Sequence, residues 1–181
     1  MKTKLVIAAI ASTLAMPLLA ADSFSPYVDG KGQINLPKNF RSDFVHLGSW
    51  AVTDDKSAAR GFHDVYTERK SLDHYRKTGV FPDGATLVKE IRKLETGPLT
   101  TGNPVHWAGA PAVWFVMIKD GKGRFPGNPL WEDGWGWAMY KADDPRKNAA
   151  SSYKADCQAC HIPAAQTDRV FVQGYPLLKK Q

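Results

Sequence analysis

Apolar residues in this chain come in short runs divided by Gly, Pro, Asn and Asp, a pattern that predicts strands rather than long helices. Five runs stand out: Phe44 to Val52, Gly61 to Thr67, Ala85 to Leu94, Ala112 to Lys119 and Gly134 to Tyr140. Two stretches carry helical signals instead. Ser71 to Thr78 stops at Gly79, and Pro145 to Ala159 runs into the second half of the chain's only cysteine motif. The implied fold class is α+β and β-rich, an antiparallel sheet with a few helices, the C-terminal helix carrying that motif.

Before the first strand lies a segment of another kind. Lys2 and Lys4 precede the apolar run Leu5 to Ala20, which ends in small residues before Asp22. Residues 1–20 are therefore expected to be a secretory signal peptide, too short for a membrane span and without a stop-transfer flank. The expected mature protein is periplasmic, a single domain over 21–181. The formal charge of +6 falls to +4 without Lys2 and Lys4, and the remaining bases lie scattered among acids. That distribution argues against nucleic acid as a partner and is compatible with docking an acidic redox protein.

The cysteines change the picture most. Both belong to Cys157-Gln158-Ala159-Cys160-His161. Two thiols three residues apart can each add to a vinyl group of a haem, and the adjacent imidazole then serves as an axial iron ligand. One covalent haem c per chain follows, with His161 as its metal ligand. Zinc would need about four ligands, and His46, His63, His74 and His106 show no zinc spacing. A thioredoxin-like pair would need no histidine next door. The motif comes late in a chain without four long helices, which separates it from both small electron-transfer cytochromes c and four-helix cytochromes c′.

Strand alternation singles out one lysine. Across Ala85 to Leu94, Leu87, Lys89, Ile91 and Lys93 share a face, so Lys89 stands between aliphatic residues on a plausibly inward surface. A buried ammonium is costly unless paired or neutralised. A lysine snorkelling at the rim of the sheet is the ordinary alternative.

Several segments carry a family likeness: Gly61-Phe62-His63-Asp64-Val65-Tyr66, the run Tyr75 to Gly84, Leu87-Val88-Lys89-Glu90, Val116-Met117-Ile118-Lys119-Asp120, Gly134-Trp135-Gly136, and Cys160-His161 followed by Asp168-Arg169-Val170-Phe171. In order and spacing they resemble the cytochrome P-460 family, from roughly Leu36 to Leu178. The resemblance implies a periplasmic β-rich homodimer with one c-haem per subunit. It implies that Lys89 is joined covalently to the haem, and that hydroxylamine is oxidised at an iron with an open sixth position, giving nitric oxide or nitrous oxide. Electrons would pass to a cytochrome or another periplasmic redox protein.

The family's hydroxylamine oxidisers also imply a pocket carboxylate from shortly before the haem motif. Here Asp156 is the acid in that approach, with Asp64, Glu90 and Asp133 as further candidates. Two rival readings stay open. A β-sheet cytochrome c′-like protein without the cross-link would bind nitric oxide or carbon monoxide under an aromatic cap drawn from Phe115, Phe125, Trp131, Trp135 or Trp137. An electron-transfer cytochrome would use a distal methionine, Met117 or Met139. His63 and His46 lie on predicted strands, where a second axial ligand is conceivable but an ordinary strand histidine is the first reading, and His74 and His106 receive no role.

Overall fold

The computed structural model describes residues 24–179, so the expected signal segment lies outside the described residues. Six antiparallel strands form one sheet: β1 (Val45–Val52), β2 (Gly61–Thr67), β3 (Thr86–Leu99), β4 (Gly102–Lys119), β5 (Trp131–Glu132) and β6 (Trp135–Lys141). Their order across the sheet is β1-β2-β3-β4-β6-β5. The helices are short: α1 (Phe40–Asp43), α2 (Arg69–Thr78), α3 (Tyr153–Asp156) and α4 (Gln158–His161). The β-rich α+β class read from the sequence is the architecture observed. Among the described residues, no helix is long and apolar enough to cross a membrane.

Both faces of the sheet are covered, which is why β4 reads as a nearly continuous apolar run from Ala112 to Ile118. Leu87 and Val88, adjacent in sequence, belong to different cores. Leu87 joins Val65, Met117 and Trp137 beneath α2 and the C-terminal segment. Val88 joins Val116, Ile118 and Tyr140 beneath the N-terminal segment, with Ile34 and Phe40. Leu72 of α2 is fully buried in the first core, and such a side chain contributes roughly 2 kcal/mol by leaving water.

Two local signals shape the chain, and the first, the stop at Gly79, acts as the sequence predicts. α2 stops where Gly79 adopts a left-handed φ of 83° and its N–H caps the Tyr75 carbonyl at 2.7 Å. The turn between β5 and β6 is Asp133-Gly134 with φ of 58° and 78°, the pair of left-handed residues that a tight two-residue hairpin requires.

Two expectations fail, each for a physical reason. The strands ending at Leu94 and beginning at Ala112 continue into a two-stranded arm, through Leu94↔Ala108 and Glu95↔Trp107 to Leu99↔Gly102. Gly97, Pro98, Pro104 and Pro111 read as breakers, but the arm's strands pair only with each other there, and register shifts absorb the irregular positions. The single helix expected over 145–159 does not form. Asn148 Oδ1 accepts from the Met139 and Ala150 N–H groups at 3.0 Å, tying that stretch to β6. Helix starts only after Ser152, whose Oγ accepts from Ala155 N–H at 3.1 Å. The haem motif then straddles a break, with Cys157 standing between the single turns α3 and α4.

Candidate functional site

The inward rows of the sheet meet the C-terminal turns around a cavity of about 510 Å³, within the size range of ligand and cofactor sites. Cys157, Cys160 and His161 line one part of it, and Lys89, His63, Trp50, Phe115 and Met117 line the strands opposite. The structure therefore brings together the residues the sequence singled out. Cys157 and Cys160 are both free thiols, the first buried and the second exposed. Burial pushes the Cys157 thiol up to about 11, with Asp156 and Cys160 adding to the effect.

His161 is held by an unusual turn. Asp168 and Arg169 are consecutive left-handed residues with φ of 57° and 67°. Their conformation aims the Arg169 carbonyl back at the imidazole, 2.7 Å from Nδ1. A carbonyl can only accept, so Nδ1 carries the ring proton and Nε2 keeps a free lone pair. Burial lowers the pKa of this histidine against the raising effect of that hydrogen bond, which favours the neutral ring. A neutral imidazole whose second nitrogen donates to a backbone carbonyl is the arrangement metal ligands commonly adopt. The turn is anchored in turn: Asp168 accepts from Phe81 N–H at 2.8 Å and pairs with Lys119, while Arg169 pairs with Asp133 at 3.0 Å. Trp137 packs edge-on to the His161 ring, 4.7 Å between centres.

Lys89 stands in the middle of the wall, opposite Val65 on β2 and Phe115 on β4. Its Nζ lies 4.5 Å from the centre of the Phe115 ring, and no carboxylate pairs with it among the described residues. Burial pulls its pKa below the usual lysine value, partly opposed by the thiols of Cys160 and Cys157. Within this site burial disfavours its charged form.

The carboxylate candidates divide. Asp156 is on the cavity rim, but Oδ2 accepts from Ser151 N–H at 2.6 Å, Ser151 Oγ at 2.8 Å and Ser152 N–H at 3.2 Å. Those bonds hold its pKa below the usual carboxylate value and make it a weak base. Asp64 and Glu90 alternate with the cavity-facing residues and lie on the other face of the sheet. Asp133 is engaged by Tyr153 and Arg169. Of the aromatic candidates, Phe115 and Trp137 line the cavity, whereas Phe125, Trp131 and Trp135 do not. Met117 lines it and Met139 does not.

Sequence reasoning passed over His63, which shares the cavity wall with Lys89. The signal was available: His63 and Val65 alternate onto the face that β3 presents through Lys89 and Ile91. His46 faces Asp64 at 3.5 Å on the other side of the sheet, and His106 bonds Thr96 in the arm. His74 lies exposed on α2.

The residues present fit a haem. They provide a large apolar chamber, two free thiols at its edge, a half-buried neutral imidazole with a lone pair to give, and a lysine on the facing wall with no carboxylate partner among the described residues. No curated protein matches the chain. The family model described as Cytochrome P460 matches residues 37–172, a span that takes in the sheet, the cavity wall and the Cys157 to His161 turn. Match and cavity agree, and the chain belongs to the cytochrome P460 family of haem-binding proteins.

Proposed function

We propose that this is a periplasmic c-type cytochrome that oxidises hydroxylamine, with nitric oxide or nitrous oxide as product. The observation that carries the reading is Lys89: a half-buried amine without a carboxylate partner among the described residues, in the wall of the cavity that also holds Cys157, Cys160 and His161. Cys157 and Cys160 hold the haem through thioethers, each S–H adding across a vinyl group with nothing lost. His161 gives Nε2 to the iron. Lys89 would be the residue joined, through Nζ, to the haem ring. Haem iron, when bound, supplies the one-electron chemistry and a position for a nitrogen ligand.

The chain's own residues do the rest. Trp137 and the Arg169 carbonyl fix the His161 ring, and the apolar wall excludes water from the chamber. Asp156, tied to Ser151 and exposed, serves as a rim carboxylate through which released protons reach solvent. Electrons leave to a periplasmic redox protein, and the working unit is a homodimer. A second reading rests on the apolar character of the wall: with Phe115 and Trp50 in it and no buried carboxylate facing in, the chamber also suits nitric oxide or carbon monoxide.

Lys89→Arg separates the two, because arginine keeps a cation but cannot form the same bond. The wild-type ferrous protein is expected to show a Soret band red-shifted from an ordinary c-haem, and Lys89→Arg to restore the ordinary band and lose hydroxylamine oxidation. An ordinary wild-type spectrum would favour the gas-binding reading.

A further inference from the structure

A closed circuit of side chains runs from His161 back to itself. The imidazole packs edge-on to Trp137 at 4.7 Å, and Trp137 lies 4.9 Å from the ring of Tyr153, both buried. Tyr153 donates its hydroxyl to Asp133 Oδ2, and the same oxygen holds the Arg169 guanidinium at 3.0 Å. The Arg169 carbonyl then returns to His161 Nδ1 at 2.7 Å. Asp133 comes from the β5–β6 turn, distant in sequence from the cysteine motif.

The backbone at the last link shows what the circuit is for. Asp168 and Arg169 are both left-handed, a conformation that costs any residue with a Cβ and that glycine adopts freely. The chain places no glycine here, and aspartate tolerates the region better than arginine does. Such residues persist where their surroundings over-determine them. Asp168 is fixed by the Phe81 N–H and by Lys119, whose ammonium lies 4.9 Å over the Trp135 ring. Among the described residues the Arg169 side chain is held by Asp133, with one longer contact of 3.5 Å to the Ile162 carbonyl. Main-chain bonds from Arg169 N–H to Ala164 and from Val170 N–H to Thr167 flank the Arg169 carbonyl without engaging it.

That carbonyl bears on the metal through one atom. A firm acceptor on Nδ1–H gives an imidazole anionic character and makes Nε2 a stronger donor. Stronger donation favours ferric over ferrous iron. Asp133, Arg169 and Tyr153 do not line the cavity, so their route to the iron is His161.

We propose that Asp133 and Arg169 are positioning residues for the iron ligand: their ion pair, backed by Tyr153, locks the Arg169 carbonyl against His161 Nδ1 and sets how strongly the imidazole donates. Asp133, a candidate pocket acid by sequence, thereby acts on the ligand and not on the substrate. The inference rests on the haem reading of the cavity and goes beyond it in naming the groups that tune the iron.

The test compares the wild-type holoprotein with Asp133→Asn, which keeps a residue at ease in a left-handed turn, and with Arg169→Ala. These variants remove charges of opposite sign, so a plain electrostatic influence would move the ferric/ferrous potential in opposite directions. Loss of the clamp has the same sign in both. Each is expected to lower the iron–histidine stretching frequency in resonance Raman spectra of the ferrous protein and to raise the potential. Arg169→Lys, which keeps a cation for Asp133, is expected to recover part of both shifts. If Asp133→Asn does not load haem, Tyr153→Phe, which removes one donor to Asp133 and leaves the ion pair, is expected to shift the stretch the same way by less. Potentials that move apart, or a stretch that stays at the wild-type value while thermal stability falls, would overturn the inference and leave the haem site standing. A wild-type protein without haem, or with haem and no iron–histidine stretch, would overturn the underlying reading as well.

Discussion

Lys89 and Glu90 are neighbours on β3 and face opposite sides of the sheet, Lys89 half-buried and Glu90 fully buried. Glu90, fully buried, receives Arg41 through both guanidinium contacts and Trp114 Nε1 at 2.9 Å. Asp64, beside it on β2, receives Ser49. On the cavity face Lys89 Nζ lies over the Phe115 ring with no acid beside it among the described residues, and His63 Nδ1 is unpaired. Glu90 and Asp64 find partners within the protein, whereas Lys89 and His63 Nδ1 do not among the described residues. Structural polar groups come with partners; groups left waiting in a chamber mark where another molecule belongs.

The comparison breaks if the paired face also governs the chemistry. Arg41→Ala leaves the Glu90 charge buried with only Trp114 as donor, and is expected to cost roughly 3 kcal/mol of stability. Denaturant unfolding of the holoprotein measures that loss. The visible spectrum and hydroxylamine affinity should stay as they are, and a change in either would tie the two faces together.

A pair at the surface sharpens the same contrast. Arg124 holds the Asp83 carboxyl below the usual carboxylate range, helped by the Gly121 N–H at 2.8 Å. Both partners are partly exposed, so Asp83→Asn is expected to cost less than about 1 kcal/mol near neutral pH. A lowered folded pKa contributes stability above the unfolded value of about 3.9 and loses it as pH falls through the folded one. The difference between wild type and Asp83→Asn should therefore close in acid. A cost as large as that of Arg41→Ala would show that burial is not what separates the pairs.

Much of this was legible in the chain. Short apolar runs between turn residues located five of the strands, and period-two alternation put Lys89 on the same face as Leu87 and Ile91, where the cavity lies. The Cys157 to His161 spacing pointed to the haem chemistry without any fold. What alternation could not show depends on contacts distant in sequence. The proton on His161 Nδ1 is set by a carbonyl eight residues on, reached through two left-handed residues that no local preference announces at Asp168 and Arg169. His63 looked like any strand histidine until Ala59 and Trp50 fixed its ring. The arm beyond Leu94 was hidden by glycines and prolines that are tolerated where strands pair only with each other.

The central claim is that the unpaired residues of the cavity hold a haem covalently, and peptide mass mapping of the denatured holoprotein tests it most directly. The account predicts one haem mass bonded to the peptide containing Cys157 and Cys160, with the peptide containing Lys89 attached to the same haem. Free thiols at Cys157 and Cys160 in fully loaded protein would contradict it. An unmodified Lys89 beside thioether-bound haem would contradict the cross-link alone.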